Sequence, residues 1–421
     1  MIIGIDGNEA NVNNRVGTGV YTLELLKQFS ALSSARHSGE RSEASDSRIF
    51  KSNDSGRARM TMFEVFLKEK PLTDMPVESQ DFKYKVFGPK KFWTQFALPI
   101  KLTLGQKPDV FFSPAHYGPR FSKLPYVVTI HDLSYLRFPE LFRKEDLVQL
   151  TSWSKYSILK SSAIIVPSNS TKDDILKNYE VSADKITVIY EGYNKERFKL
   201  QSSAKISAVK KKYKITGDYI ILVGTLQPRK NIVRLIEAFH LAIGQLGNQA
   251  IRNPNRPTAQ QPNNLSLVIV GKKGWLYDSI IEKSKQLGIE DKVIFTDFVS
   301  DRDLPALISG AKAYVNPSLW EGFGIPVIEA QACGVPVAVS NTSSLPEIIS
   351  SPGHPELVSG SVFDPTDVKS MASTIQSLLT KEKTRTDLVK KGFENTKRFS
   401  WESCAEQTLE LLAKFASKQN P

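Results

Sequence analysis

The chain has 421 residues, 40% of them hydrophobic and 24% charged, with a formal net charge of +12 and two cysteines. That length exceeds one ordinary hydrophobic core and implies two domains, while no apolar run nears the ~18 residues that would span a bilayer. Cys333 and Cys404 are too few for a disulfide framework or a thiolate metal site.

The elements follow in chain order. The N-terminus, MIIGIDGNEA, has neither a basic leader nor a small-residue cleavage site and reads directly as a strand, so the expected compartment is the cytoplasm. Short β-branched runs recur at Ile2–Ile5, Val110–Phe112, Tyr126–Ile130, Ala163–Val166 and Ile186–Tyr190. A second series occupies Tyr219–Val223, Leu265–Val270, Lys292–Phe295, Ala313–Val315 and Val335–Ser340. Runs of about four to six apolar residues with helical patterns between them are parallel strands buried on both faces. Two such series predict an α/β chain of two doubly wound, Rossmann-like domains. The expected domains are 1–200 and 201–395, with a helix at 396–421 crossing back to the first. Residues 33–60, 246–264 and 350–361 are rich in Ser, Arg, Gly, Asn, Pro or Gln and read as surface insertions, since they offer little apolar area against the ordering entropy.

The positive charge fits nucleic acid, an anionic membrane surface or phosphorylated small molecules. Nucleic-acid binding calls for a recognisable module or a basic stripe with stacking aromatics, and neither is present. The run Lys210-Lys211-Lys212 falls in a surface helix and reads as solvated.

Two stretches carry chemistry. In SLWEGFGIPVIEAQACGVPVAVS, Pro326 suits a first helical turn and Gly334 a helix end. Glu321 then precedes the helix, Gly322, Phe323 and Gly324 form its N-terminal loop, and Glu329 lies one turn inside. A glycine-rich helix N-terminus after a parallel strand is an anion site, and a nearby carboxylate accepts hydrogen bonds from sugar hydroxyls. The plainer reading makes Glu321 a dipole partner and Glu329 a surface residue. In ILVGTLQPRKNIVRLIEAF, Arg229 and Lys230 stand at the start of a helix, where cations oppose the dipole unless an anion meets them. Asp301-Arg302-Asp303 is better read as helix capping than as a metal site, and Ser168 as a helix cap.

The order VGTLQPRKN, LVIVGKKGW, VNPSLWEGFGIPVIEA resembles the nucleotide-sugar half of a retaining glycosyltransferase with two facing Rossmann-like domains, the GT-B class. It resembles more narrowly the family-4 enzymes and their mannosyltransferase-like members. RVGTGVYTLELL, VVTIHDLSYLRFPE, AIIVPSNSTKDDI, ITVIYEGYNKERF and KRFSWESCAEQTLELL resemble the remaining family segments, so the likeness spans nearly the whole chain. It implies that Arg229 and Lys230 hold the donor diphosphate, Glu329 the ribose hydroxyls and Glu321 the transferred hexose. Gly224 and the amides of Gly322, Phe323 and Gly324 would complete the cradle. His131 would stand at the reacting centre as a catalytic residue with Glu321, Arg229 and Lys230. Gly17 and Gly19 would admit the backbone close to phosphates or acceptor. Thr225 departs from the family, where many relatives carry Gly-Arg-Leu.

The expectations are therefore a hexosyl transfer from a nucleotide sugar, GDP-mannose by preference, with UDP- and other GDP-sugars open. No cofactor and no metal are expected, and the acceptor would be a glycan or a lipid-linked one. Peripheral contact with the anionic inner face of the cell membrane is a further expectation, and KKFWTQFALPIKL reads as a core-packing helix rather than a membrane-docking one. The rival readings are a nucleotide-sugar hydrolase or epimerase, and a catalytically silent nucleotide- or carbohydrate-binding protein.

Overall fold

A computed structural model describes residues 1–38, 61–104, 107–252, 264–350 and 357–417. The chain divides into two compact units, Met1–Gly192 with Ser400–Pro421, and Tyr193–Phe399.

The first unit contains β1 (Ile2–Asp6), β2 (Met62–Leu67), β3 (Phe82–Val86), β4 (Val110–Ser113), β5 (Tyr126–Thr129), β6 (Ala163–Val166) and β7 (Ile186–Val188). Their order across the sheet is β3-β2-β1-β4-β5-β6-β7, and every pairing is parallel. The second unit contains β8 (Asp218–Val223), β9 (Leu265–Val270), β10 (Val293–Phe295), β11 (Ala313–Asn316), β12 (Val337–Ser340) and β13 (Gly360–Phe363). They run β10-β9-β8-β11-β12-β13, again all parallel. The α/β doubly wound expectation holds for both units.

Burial explains the strand composition. Every residue of β4, β5, β6, β11 and β12 is buried, as expected where helices cover both faces of a parallel sheet. The helix Ile232–Arg252 buries Ile232, Leu235, Ile236, Phe239, Ala242, Ile243 and Leu246, a spacing of three and four that makes one apolar stripe. That stripe packs with Leu222, Leu267, Ile269 and Val315 of the sheet. In each unit the strand order reverses beside the first strand, between β1 and β4 and between β8 and β11. Ligands of such sheets bind outside the carboxyl ends at that reversal.

Three strands escaped the sequence pattern. β2 carries a charged residue in its middle, Glu64, which is buried and met by Lys85 of β3 at 3.2 Å. β3 itself is FKYKV, an edge strand whose alternating lysines mask its role. β13 begins at Gly360, so the insertion expected at 350–361 ends inside the sheet. Buried Ser359 anchors its start, with its amide donating to Ile349 O at 2.8 Å and its hydroxyl at 2.7 Å. The other two insertions also begin later than expected. The helix Thr18–Ser38 runs through 33–38, and Ile232–Arg252 runs through 246–252. Residues 39–60, 253–263 and 351–356 of those insertions lie outside the described residues.

Two further readings change. Asp303 occupies the N-cap position of Leu304–Ser309 but makes no side-chain cap. Its carboxylate instead takes Lys212 Nζ at 2.5 Å and Tyr213 Oη at 3.3 Å, so one lysine of the basic run is an ion-pair partner. Asp301 likewise pairs with Arg197 at 2.7 Å. The segment KKFWTQFALPIKL packs only one side. Trp93, Leu98 and Leu102 are buried, whereas Phe92, Phe96, Ile100 and Leu104 are exposed.

Candidate active site

In the second unit, β8 is followed by Gly224 and leads through a short 3-10 turn, Pro228–Lys230, to Asn231. Asn231 takes a left-handed backbone, φ 56°. Its side-chain amide donates to Pro317 O at 3.0 Å and Pro365 O at 2.7 Å. That brace fixes the turn against the strand end of β11. Arg229 and Lys230 are thereby set beside the loop that follows β11, and the Leu319 amide donates to Arg229 O at 3.0 Å.

Here the two chemistry-bearing stretches meet. Lys230 Nζ lies 2.5 Å from Glu321 Oε1 and Arg229 Nη1 3.2 Å from Glu321 Oε2. Arg229 Nη1 also donates to Trp320 O, and Ser318 Oγ donates to Glu321 Oε1 at 2.6 Å. Burial works to raise the Glu321 carboxyl. The charges of Lys230 and Arg229, with the hydrogen bonds from Lys230 and Ser318, overrule it and hold the group at about 2. Glu321 is therefore ionised at neutral pH and supplies the anion that cations at a helix start require. Gly224 lies under this pair, where a Cβ would sit 3.5 Å from Lys230 Cε.

The loop Gly322–Gly324 is clamped from below. Ser344 Oγ donates to Glu321 O at 3.0 Å and Phe323 O at 2.7 Å, and Ser343 Oγ accepts from the Glu321 amide at 3.0 Å. Gly324 needs its missing side chain, since its φ is +119°. Phe323 is buried and meets Phe399 edge-on at 5.6 Å. The helix Ile325–Ala332 follows with Pro326 in its first turn.

Glu329 stands on that helix apart from the cluster. It is half-buried, and its carboxyl has no hydrogen bond among the described residues. Burial lifts it to about 7, against the downward pull of Arg197 and with the upward push of Asp301. Ser318, Ser343, Ser344, Asn231 and Arg197 were not singled out in the sequence. Serines and an asparagine in loops give no periodic signal, and their importance is positional.

In the first unit, Gly17 has φ +44° and open space at its missing Cβ. A Cβ on Gly19 would strike Glu9 O at 2.7 Å, so Gly19 is required by the packing of its own loop. The helix they open carries Tyr21, whose ring meets His131 edge-on at 4.8 Å. His131 follows β5 and is buried. Its Nε2 is 2.8 Å from Pro114 O and its Nδ1 3.2 Å from Glu191 Oε1. A carbonyl accepts only, so Nε2 carries hydrogen. Burial works against a charged ring, but the Glu191 hydrogen bond and charge, with the Pro114 hydrogen bond, prevail and raise it above its ordinary value.

His116, after β4, was missed by the sequence reading. Its ring lies 5.6 Å from that of His131, and its backbone is left-handed, φ 47°. Its Nδ1 is buried without a hydrogen-bond partner among the described residues. Burial, aided by His131, pushes it down to about 4, so it is neutral at pH 7. A histidine directly after a buried strand, in SPAHYG, was the available signal. Ser168 caps the helix Asn169–Asn178, its Oγ accepting from the Thr171 amide at 3.2 Å. Among the described residues no group of three or more His, Cys, Asp or Glu side chains is placed to hold a metal ion. No helix among them is long and apolar enough to cross a membrane.

Residues 205–395 match the family model for glycosyl transferases group 1, and residues 75–197 that for glycosyltransferase family 4. The O-antigen chain mannosyltransferase B of Escherichia coli is 31% identical over 301 residues, covering 70% of this chain and 72% of that one. The O-antigen chain mannosyltransferase RfbU of Salmonella typhimurium is 31% identical over 252 residues, 60% of each chain. In structure, the chain is similar to sucrose-phosphate synthase from Thermosynechococcus elongatus, with TM-score 0.69, 18% identity and 99% of both chains covered.

Proposed function

The chain belongs to the group 1, family 4 glycosyltransferases of GT-B fold, and from that premise we propose that it transfers mannose from a nucleoside-diphosphate donor, GDP-mannose by preference. The product is retained in configuration, and no metal takes part. The acceptor in this reading is a growing glycan, free or lipid-linked, at the cytoplasmic side of a membrane. The mannosyl transfer named for the Escherichia coli and Salmonella relatives supports the sugar.

The observation that carries the reading is the cluster of Arg229, Lys230 and Glu321 at the carboxyl ends of β8 and β11. The reaction breaks the bond between the anomeric carbon and the donor phosphate oxygen, and the leaving diphosphate gains negative charge. In this reading Arg229 and Lys230, already side by side at that strand end, stabilise the charge as it grows. Glu321 holds them ready and, as a carboxylate, turns to accept from sugar hydroxyls when phosphate oxygens take over the cations. The acceptor oxygen bonds to the same face of the anomeric carbon, and its proton passes to the departing phosphate oxygen. Glu329 then serves the ribose hydroxyls. His131, hydrogen-bonded to Glu191 and Pro114, is assigned to the reacting sugar in this reading.

The test is nucleoside diphosphate release from a panel of nucleotide sugars, with and without a mannose-terminated oligosaccharide, in excess EDTA. The expected result is acceptor-dependent GDP release and an α-linked product. Release independent of acceptor, or activity lost to EDTA and rescued by Mg²⁺ or Mn²⁺, would overturn the reading.

A further inference from the structure

Two histidines follow the neighbouring strands β4 and β5 of the first unit, and they are not equally available. His131 has Nε2 2.8 Å from Pro114 O and Nδ1 3.2 Å from Glu191 Oε1, and the Tyr21 ring meets it edge-on. Both of its nitrogens are engaged. His116 lies with its ring 5.6 Å from that of His131. Its Nδ1 is buried, and neither ring nitrogen makes a hydrogen bond among the described residues. The residue is partly exposed, so Nε2 is the nitrogen left to meet a partner.

The loop holds that ring in place at a cost. The His116 backbone is left-handed, φ 47°, which is unfavourable for a residue with a Cβ. It is fixed from both sides. The His116 amide donates to Thr129 O at 2.9 Å and the Gly118 amide to Ser157 Oγ at 2.8 Å. A Cβ on Gly118 would lie 2.2 Å from Tyr126 Cε2, so the turn cannot shift that way. A strained backbone and a buried nitrogen without a partner both oppose folding. Their coincidence at a strand end beside the reversal of strand order marks a functional position.

The surroundings suit an uncharged sugar. Tyr117 meets Trp153 edge-on at 5.5 Å, and both are partly exposed. Burial and the charge of exposed Glu9, in the loop after β1, raise the Tyr117 hydroxyl to about 12, which places that loop beside this one. A hexose has an apolar C–H face for the aromatic rings and hydroxyls at its edge for the polar groups. A neutral imidazole presents either an N–H or a lone pair at Nε2, and a hydroxyl answers both; it offers a phosphate no charge.

From this we infer that His116 binds a hydroxyl of the acceptor sugar through Nε2, with Tyr117 and Trp153 packed against that sugar, and so sets which acceptors are used. The inference rests on the glycosyl-transfer reading and adds the contact that His131, with both nitrogens engaged, leaves open.

The test uses the full chain, GDP-mannose at saturation, and methyl α-mannopyranoside with its monodeoxy analogues as acceptors. In wild type one analogue should lose about tenfold or more in kcat/KM relative to the parent sugar. His116→Gly relieves the left-handed backbone and removes the imidazole. It should lose about tenfold on the parent sugar, through acceptor KM, and treat that analogue and the parent alike. GDP-mannose binding, followed by calorimetry, should be unchanged. His116→Asn tolerates this backbone and keeps a hydrogen-bonding side chain, so it should recover part of the loss. Unchanged kinetics in His116→Gly would overturn the inference. So would a loss that leaves the discrimination among analogues intact while melting temperature and GDP-mannose affinity fall together, since that is a structural role. A second measurement needs no transfer. In protein labelled with ¹⁵N-histidine, methyl α-mannopyranoside should shift the ring-nitrogen signal that His116→Gly removes. That shift without transfer from any nucleotide sugar sinks the functional reading and leaves the inference standing, and transfer with neither the shift nor a dependence on His116 does the reverse. Absence of both shift and transfer overturns the inference as well.

Discussion

Replacing Glu321 by Gln keeps the shape of the site and removes the charge that two buried cations share. The carboxyl moves from an ordinary 4.5 to about 2 on folding. At 1.36 kcal/mol per unit this is about 3 kcal/mol of stability at neutral pH. Removing one member of a buried ion cluster independently suggests about 3–5 kcal/mol. For a domain of this size the loss should lower the melting temperature by about 6–12 °C. The sign follows from the direction of the shift. A depressed carboxyl contributes its stability above the unfolded value and loses it as the pH falls through the folded one. The gap between wild type and Glu321→Gln should therefore be full at neutral pH and narrow progressively below about pH 4.5. Scanning calorimetry across that range checks both features. Nucleoside diphosphate should also raise the melting temperature more in the variant, because phosphate oxygens restore the missing anion. A gap below about 2 °C at neutral pH, or one that does not narrow on acidification, would refute the argument that Glu321 is a held anion.

Other expectations test neighbouring parts. Glu329 has the opposite sign: a carboxyl raised to about 7 costs folding free energy as pH rises from its unfolded value through 7. Melting curves of wild type and Glu329→Gln should merge near pH 4.5 and separate toward neutral pH, with the variant more stable and its donor binding weaker by calorimetry. Asn231→Ala loses two buried hydrogen bonds and strains a left-handed backbone, so denaturant unfolding should show a loss of about 2–4 kcal/mol. Asn231→Gly should recover about 1 kcal/mol of it by relieving the strain. Gly192→Ala would place a Cβ 2.2 Å from the Trp401 amide nitrogen, and a loss of about 3 kcal/mol or more is expected from thermal melts.

Some of this molecule was legible one residue at a time. The spacing of Ile232, Leu235, Ile236 and Phe239 dictated a one-faced helix, and the runs of β4 to β6, apolar but for a closing Ser113 and Thr129, dictated strands covered on both sides. Arg229 and Lys230 at a helix start, and Glu321 before a Gly-Phe-Gly loop, stood out because each is costly alone. The sequence could not say that they answer one another. Lys230 and Glu321 are 91 residues apart and meet because β8 and β11 are hydrogen-bonded neighbours at the reversal of strand order. Periodicity reports whether a strand is buried, not which strand lies beside it. The same limit hid Glu191 as the partner of His131 and His116 as its neighbour, since each ends a different strand. It hid β3 as well, where lysines on an edge strand imitate a loop. It also left the segment from Phe92 to Leu104 ambiguous: an apolar run has the same composition whether it faces a core or water, and only the packing of Trp93, Leu98 and Leu102 decides which side is left open.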